Sequence, residues 1–163
     1  LLQYVQIPEK SDFSTPAFLG GFYIPPERFE DFTKAVQALE SKYDVDLSLS
    51  GHGYESIYYT YPVLNMQKVG DRQKVLKLLT DWSTTVSAHG GHIVAENGEG
   101  RLKAPFAYKE LDSDTKELYA AIRTLFDPLG TLNAGVKQDR DIKKLVAELR
   151  TDYVGDDSAW HAA

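Results

Sequence analysis

Between residues 17 and 96 the apolar side chains switch repeatedly between strand and helix spacing, and the order of those switches leaves few folds open. Residues 17–24 (AFLGGFYI) are an apolar run of strand length, stopped by Pro25-Pro26. From Pro26 onward, Phe29, Phe32, Val36, Leu39 and Tyr43 recur at steps of three and four, the stripe of one helix face. Val45, Leu47 and Leu49 then alternate with Asp46, Ser48 and Ser50, which predicts a strand, and Ser50-Gly51-His52-Gly53 predicts a turn. Residues 56–61 (SIYYTY) are rich in strand formers and end at Pro62. A second helix is predicted over residues 71–88, with Val75, Leu79, Trp82 and Val86 as its core stripe and Gly90-Gly91 as its C-cap. Residues 92–96 (HIVAE) supply a fourth strand that runs into Asn97-Gly98-Glu99-Gly100.

The order β-α-β-β-α-β predicts an α+β fold of ferredoxin-like type, a four-stranded antiparallel sheet with two helices on one face. A C-terminal helical extension follows: a helix over residues 113–125, a turn at Asp127-Pro128-Leu129-Gly130, and a last amphipathic helix using Ile142, Leu145, Val146 and Leu149. Residues 1–16 read as a linker or entry arm, 17–138 as the domain and 139–163 as a final helix and tail. The start at Leu1-Leu2-Gln3, with no signal-like stretch, leads us to expect a segment of a longer polypeptide.

Charge narrows the partners. A net charge of -6 lacks the electrostatic footprint of a phosphate-backbone binder, so nucleic acid is not expected. The chain has no cysteine, which excludes disulfides and thiolate metal sites and is compatible with a cytoplasmic setting.

Three stretches carry residues suited to chemistry. His52, between two glycines, can reach into a neighbouring cleft, although a solvent-exposed turn histidine explains it as simply. In residues 95–103 (AENGEGRLK), Gly98 and Gly100 permit close backbone approach, and carboxylates, an amide and two cations surround them. Arg101 or Lys103 could offer charge to a carboxylate ligand, and Glu96 could accept a hydrogen bond. A charged surface loop has a similar composition. Residues 126–135 (FDPLGTLNAG) are locally a helix stop followed by two turn signals. His89 and His92 read as structural, the first as a helix C-terminal cation.

Taken in order, these stretches resemble the C-terminal domain of FAD-linked oxidases, the D-lactate, glycolate and D-2-hydroxyglutarate dehydrogenase group with the vanillyl-alcohol-oxidase-type fold. That family carries a Gly-Glu-His-Gly-x-Gly stretch and a Phe-Asp-Pro-x-Gly-x-Leu-Asn-Pro-Gly-Lys ending. Here residues 95–100 follow the first, and Phe126, Asp127, Pro128, Gly130, Leu132, Asn133 and Gly135 match the second. The resemblance implies the substrate-side part of an FAD-dependent oxidoreductase, oxidising a hydroxyl-bearing substrate by hydride transfer to flavin. It implies FAD bound mainly by an FAD-binding domain of the same polypeptide, with Asn133 and Gly135 near the flavin and Glu96, Arg101 and Lys103 toward a small-molecule substrate. The segment alone is expected to be inactive, and a homo-oligomer is a further expected option.

The sequence also departs from the family pattern. Members acting on 2-hydroxy acids place two histidines and a glutamate around a divalent metal, with a further histidine as proton acceptor. His52 aligns with the first histidine, Tyr58 stands at the second, and Asn97 replaces the acceptor. Two remaining ligands, His52 and Glu96, seldom hold a metal, so none is expected. His52, Tyr58 and Asn97 are left as the catalytic candidates. The alternative is a non-catalytic ferredoxin-like ligand-binding or oligomerisation module; an RNA-recognition domain of this strand order is opposed by the charge.

Overall fold

A computed structural model of the chain describes residues 13–138, 141–145 and 149. Strand β1 (Gly20–Tyr23) leads through a 3-10 turn (Pro26–Arg28) into helix α1 (Phe29–Tyr43). Strands β2 (Ser50–His52) and β3 (Ile57–Thr60) form a hairpin, followed by α2 (Val69–Ala88). Helices α3 (Gly100–Glu110), α4 (Ser113–Phe126) and the short α5 (Ile142–Leu145) complete the α+β fold. The expected last helix is described over α5 only; Val146 and the first twelve residues of the entry arm lie outside the described residues. No described helix is long and apolar enough to cross a membrane.

The sheet is antiparallel in the order β1-β3-β2. Phe22 pairs with Tyr58, and both face the helices; Gly21 pairs with Tyr59 on the opposite face. The core forms where α1 and α2 cover the sheet. Trp82 of α2 meets Phe22 edge-on at 5.0 Å and Phe32 of α1 at 5.6 Å, and all three are fully buried. Such edge contacts add about 1 kcal/mol per pair to the burial of the rings. The C-cap of α2 falls at the expected glycines: Gly90 is left-handed (φ 72), and the Gly91 N–H donates to Val86 C=O at 2.9 Å.

Two predicted strands are corrected. Residues 45–49 alternate in burial as expected, with Leu47 buried and Val45 and Leu49 packed against the core, but they do not pair. Side chains take their backbone donors instead: Leu47 N–H donates to Glu40 Oε1 and Ser48 N–H to Asp46 Oδ1, each at 2.8 Å. Pairing begins at Ser50, and the turn moves to residues 53–56, with Ser56 left-handed (φ 57). The predicted fourth strand shrinks to one antiparallel bridge between His92 and Tyr23. Beyond it the Ile93 carbonyl accepts from the Lys103 ammonium, so the chain leaves the edge of β1 after a single pairing.

Helix α3 was not legible as a helix because it opens on left-handed Gly100 and contains Pro105. Helix α4 carries an apolar stripe, yet none of its residues is buried; Leu118, Ile122 and Leu125 are all exposed.

Candidate functional site

Beside the free edge of β1, the glycine-rich turn at 97–100 and the first turn of α3 enclose a cavity of about 440 Å³. Its walls include Gly20 and Gly21 of β1, Tyr61 just beyond β3, and Asn97 to Lys103. This volume lies in the range that holds a small organic ligand. Glycines make the approach possible. A methyl group at Gly20 would sit 3.0 Å from Lys103 Nζ, and one at Gly21 would sit 3.1 Å from the Tyr59 ring. A side chain at either position would push into the residues that frame the cavity.

Lys103 is the most unusual side chain here. It is 7% exposed, and Nζ donates to Gly21 C=O at 3.1 Å and to Ile93 C=O at 2.9 Å. Those two bonds tie β1 to the segment that departs from it. No carboxylate pairs with Lys103 among the described ion pairs, and burial pushes its ammonium down to about 8. The consecutive residues Lys103, Ala104, Pro105 and Phe106 of α3 are all buried, so this turn of the helix is enclosed on most sides and carries the amine into the molecule among apolar neighbours.

The terminal motif forms around Asp127. Its Oδ1 accepts from the Thr131 N–H (2.8 Å) and hydroxyl (3.1 Å), and its Oδ2 from the Leu132 N–H (2.9 Å). Burial pushes this carboxyl up, but those donors and Arg123 together hold it below the usual carboxylate range. Arg123 of α4 also donates to the carbonyls of Leu132 and Val136. Gly130 (φ 65) and Gly135 (φ 83) adopt left-handed conformations that favour glycine, and Asn133 does so too (φ 45). The motif is joined to the cavity by Glu99, whose buried carboxylate binds Lys137.

The structure sorts the sequence candidates by position. Asn97, Arg101 and Lys103 line the cavity. Glu96 is exposed; its backbone nitrogen lies 3.8 Å from where a Gly21 Cβ would be, and its side chain is not part of the lining. His52 is exposed at the end of β2, away from the cavity walls. Tyr58 points to the core, where its ring stacks on Phe29 at 4.4 Å. Asn133 is exposed and Gly135 buried, both in the terminal motif rather than the cavity. No group of three or more His, Asp or Glu side chains placed to hold a metal occurs among the described residues. Gly20, Gly21 and Glu99 were not singled out from sequence; a Gly-Gly pair inside an apolar strand was the available signal of close approach.

This architecture, with its glycine turn, buried lysine and Asp-centred ending, coincides with a family match over residues 14–136 to the FAD linked oxidases, C-terminal domain. The chain belongs to that family. It is also similar to the glycolate oxidase subunit GlcD of Bacillus subtilis (strain 168), at 24% identity over 127 residues. The aligned stretch is 78% of this chain and 27% of that protein, so the chain spans about a quarter of its relative.

Proposed function

We propose that this chain is the substrate-side domain of an FAD-dependent oxidoreductase that oxidises a small hydroxyl-bearing carboxylate. The cavity carries the reading: it is sized for a small acid and presents two basic residues, Arg101 and Lys103, beside the Asn97 amide. A carboxylate would take charge-assisted bonds from Arg101, leaving Lys103 and the Asn97 amide beside the hydroxyl. The relative named as a glycolate oxidase subunit makes glycolate the first substrate to try. His52 and Tyr58 have no part in this reading, since neither lines the cavity.

The described residues suit a domain that closes over a flavin held elsewhere. They offer one cation-bearing turn, enough for one substrate carboxylate, with Asn133 exposed on the same terminal segment as left-handed Gly135. We assign the FAD pyrophosphate to an FAD-binding domain of the same polypeptide, and Asn133 and Gly135 to the surface that meets it. Flavin would supply the two-electron acceptor. The sheet with its His92 bridge is read as an incomplete ferredoxin-like sheet, and the setting as cytoplasmic.

The test is anaerobic reduction of the flavin in the full-length protein by glycolate, D-lactate or D-2-hydroxyglutarate, with ethanol as the control lacking a carboxylate. Bleaching by at least one acid and not by ethanol is expected, and Arg101→Ala should raise the acid concentration needed. An oxidised spectrum with every acid would refute the reading.

A further inference from the structure

Resting on the function just proposed, we infer that Lys103 is the proton acceptor of the oxidation, filling the post that Asn97 cannot. As the substrate's C–H bond breaks, its electron pair leaves as hydride to the oxidised flavin. The O–H bond breaks with it, its proton moves to the Lys103 nitrogen, and the carbon–oxygen double bond forms. Protons and electrons then balance without a metal or a further oxidant.

Position comes first. Among the cavity-lining side chains, Glu99 is committed to Lys137, Arg101 carries a guanidinium with donors and no acceptor, and Tyr61 is a phenol. Asn97 is an amide with no proton to exchange near neutrality. Lys103 alone among these lining residues carries a nitrogen that can pass between charged and neutral forms there.

Hydrogen bonding then fixes what that nitrogen offers. It is tetrahedral: one position is the bond to Cε, and two N–H groups are held by Gly21 C=O and Ile93 C=O. One position is left. In the ammonium it is a third N–H; in the amine it is a lone pair, and both carbonyl bonds survive the change. Losing the proton therefore costs neither carbonyl its donor. An imine with a ligand carbonyl would strip those N–H groups away, so the two carbonyls favour a base over a Schiff-base lysine.

The surroundings agree. The charged and titratable groups sharing the cavity are Glu99, Arg101 and Tyr61; β1 contributes only Gly20 and Gly21, and the Ile93 segment a backbone carbonyl. Burial, with no carboxylate bonded to the amine among the described residues, lowers it to about 8, near the value a general base needs at neutral pH.

Two measurements decide it. In this chain, 13Cε-lysine NMR should show one lysine titrating near pH 8, and its resonance should vanish in Lys103→Met. In the full-length flavoprotein with glycolate, the rate of flavin reduction should rise with pH through about 8. Lys103→Met should lower that rate by on the order of a hundredfold while leaving the oxidised flavin spectrum unchanged. Lys103→Ala should regain rate with added ethylamine, a rescue that a merely structural lysine would not show. A Lys103 resonance titrating above pH 10, or a Lys103→Met rate within fivefold of wild type, overturns the assignment. So does Lys103→Ala indifferent to amines. Failure of the wild type itself to reduce flavin with any of the acids named above sinks the parent reading and this one together; normal reduction with an indifferent Lys103 sinks this one alone.

Discussion

The Glu99 carboxylate accepts both the backbone N–H of Lys137, at 2.8 Å, and the ammonium of the same residue, at 2.7 Å. Glu99 lies in the glycine turn of the cavity and Lys137 just beyond the terminal motif, so this pair joins two stretches 38 residues apart in sequence. The side chain of Glu99 is 2% exposed and that of Lys137 47%. A buried carboxylate with a half-exposed cation depends on its partner more than the cation does. Lys137 also holds a left-handed conformation (φ 54), which presents its N–H and its ammonium to one acceptor.

Removing either partner should therefore destabilise the chain unequally. Lys137→Met leaves the buried carboxylate with one donor and should cost about 3 kcal/mol in urea unfolding. Glu99→Gln should cost about 1 kcal/mol, because the amide oxygen can still accept from the Lys137 N–H. Near-additive losses in the double variant would show that the contact does not couple the two stretches.

Gly91 and Gly98 should respond oppositely to alanine. A Cβ at Gly91 would lie 2.3 Å from Tyr23 O and 2.6 Å from Ile24 Cδ1, at the bridge that ties the 92 segment to β1. Backbone oxygen cannot yield there, so Gly91→Ala should cost about 3 kcal/mol. Gly98 has open space around it, and Gly98→Ala should be neutral or gain about 0.5 kcal/mol from a less flexible unfolded chain. Thermal melts of the two variants decide this, and equal losses would refute the close approach at Gly91.

Asp127→Asn replaces an acceptor oxygen with an amino group facing the N–H donors of the turn. Hydrogen exchange at the Thr131 and Leu132 amides should rise about tenfold. The wild-type turn should also respond to acid. Its carboxyl is held below the usual value of 3.8, so the stabilisation is complete above that pH and is lost as pH falls through the lower folded-state value. Exchange at these amides that ignores both substitution and acid would refute the role given to Asp127.

Lys103 gives the opposite pH dependence. Its folded-state value is about 8 against 10.5 for the free side chain, so between those values the unfolded chain binds the extra proton. Stability must then rise with pH across that window, by on the order of 3 kcal/mol for this one group. The unfolding free energy of wild type relative to Lys103→Met should increase from pH 7 to pH 10. A flat difference would mean that the amine is hydrated in the folded chain.

Helices α1, α2 and α4 were legible because their stripes repeat over several turns. The α+β class followed from the alternation of periods. What escaped was decided by side chains competing for backbone groups. Glu40 and Asp46 divert the N–H groups of residues 47 and 48 from a ladder, and Lys103 takes the Ile93 carbonyl from the fourth strand. No local period encodes such captures, because their partners are set by tertiary approach. The site was legible as a stretch, residues 95–103, but not as a cavity: Gly20 and Gly21 join it only through the fold. His52 and Tyr58 were chosen by alignment to a motif; His52 closes β2 on the exposed hairpin and Tyr58 faces the helices from β3, so neither reaches the walls.

A helix that buries none of its own residues adds little to the cohesion of the core. Leu118, Ile122 and Leu125 of α4 contribute no burial to the Trp82 cluster, and Arg123 holds the terminal motif by polar bonds alone. The molecule should therefore open in graded steps. Amides of α4 would exchange through local fraying at low free energy, while those of α2 would wait for global unfolding. The cooperative unit is then smaller than the chain, and heat would find its seam between α3 and α4.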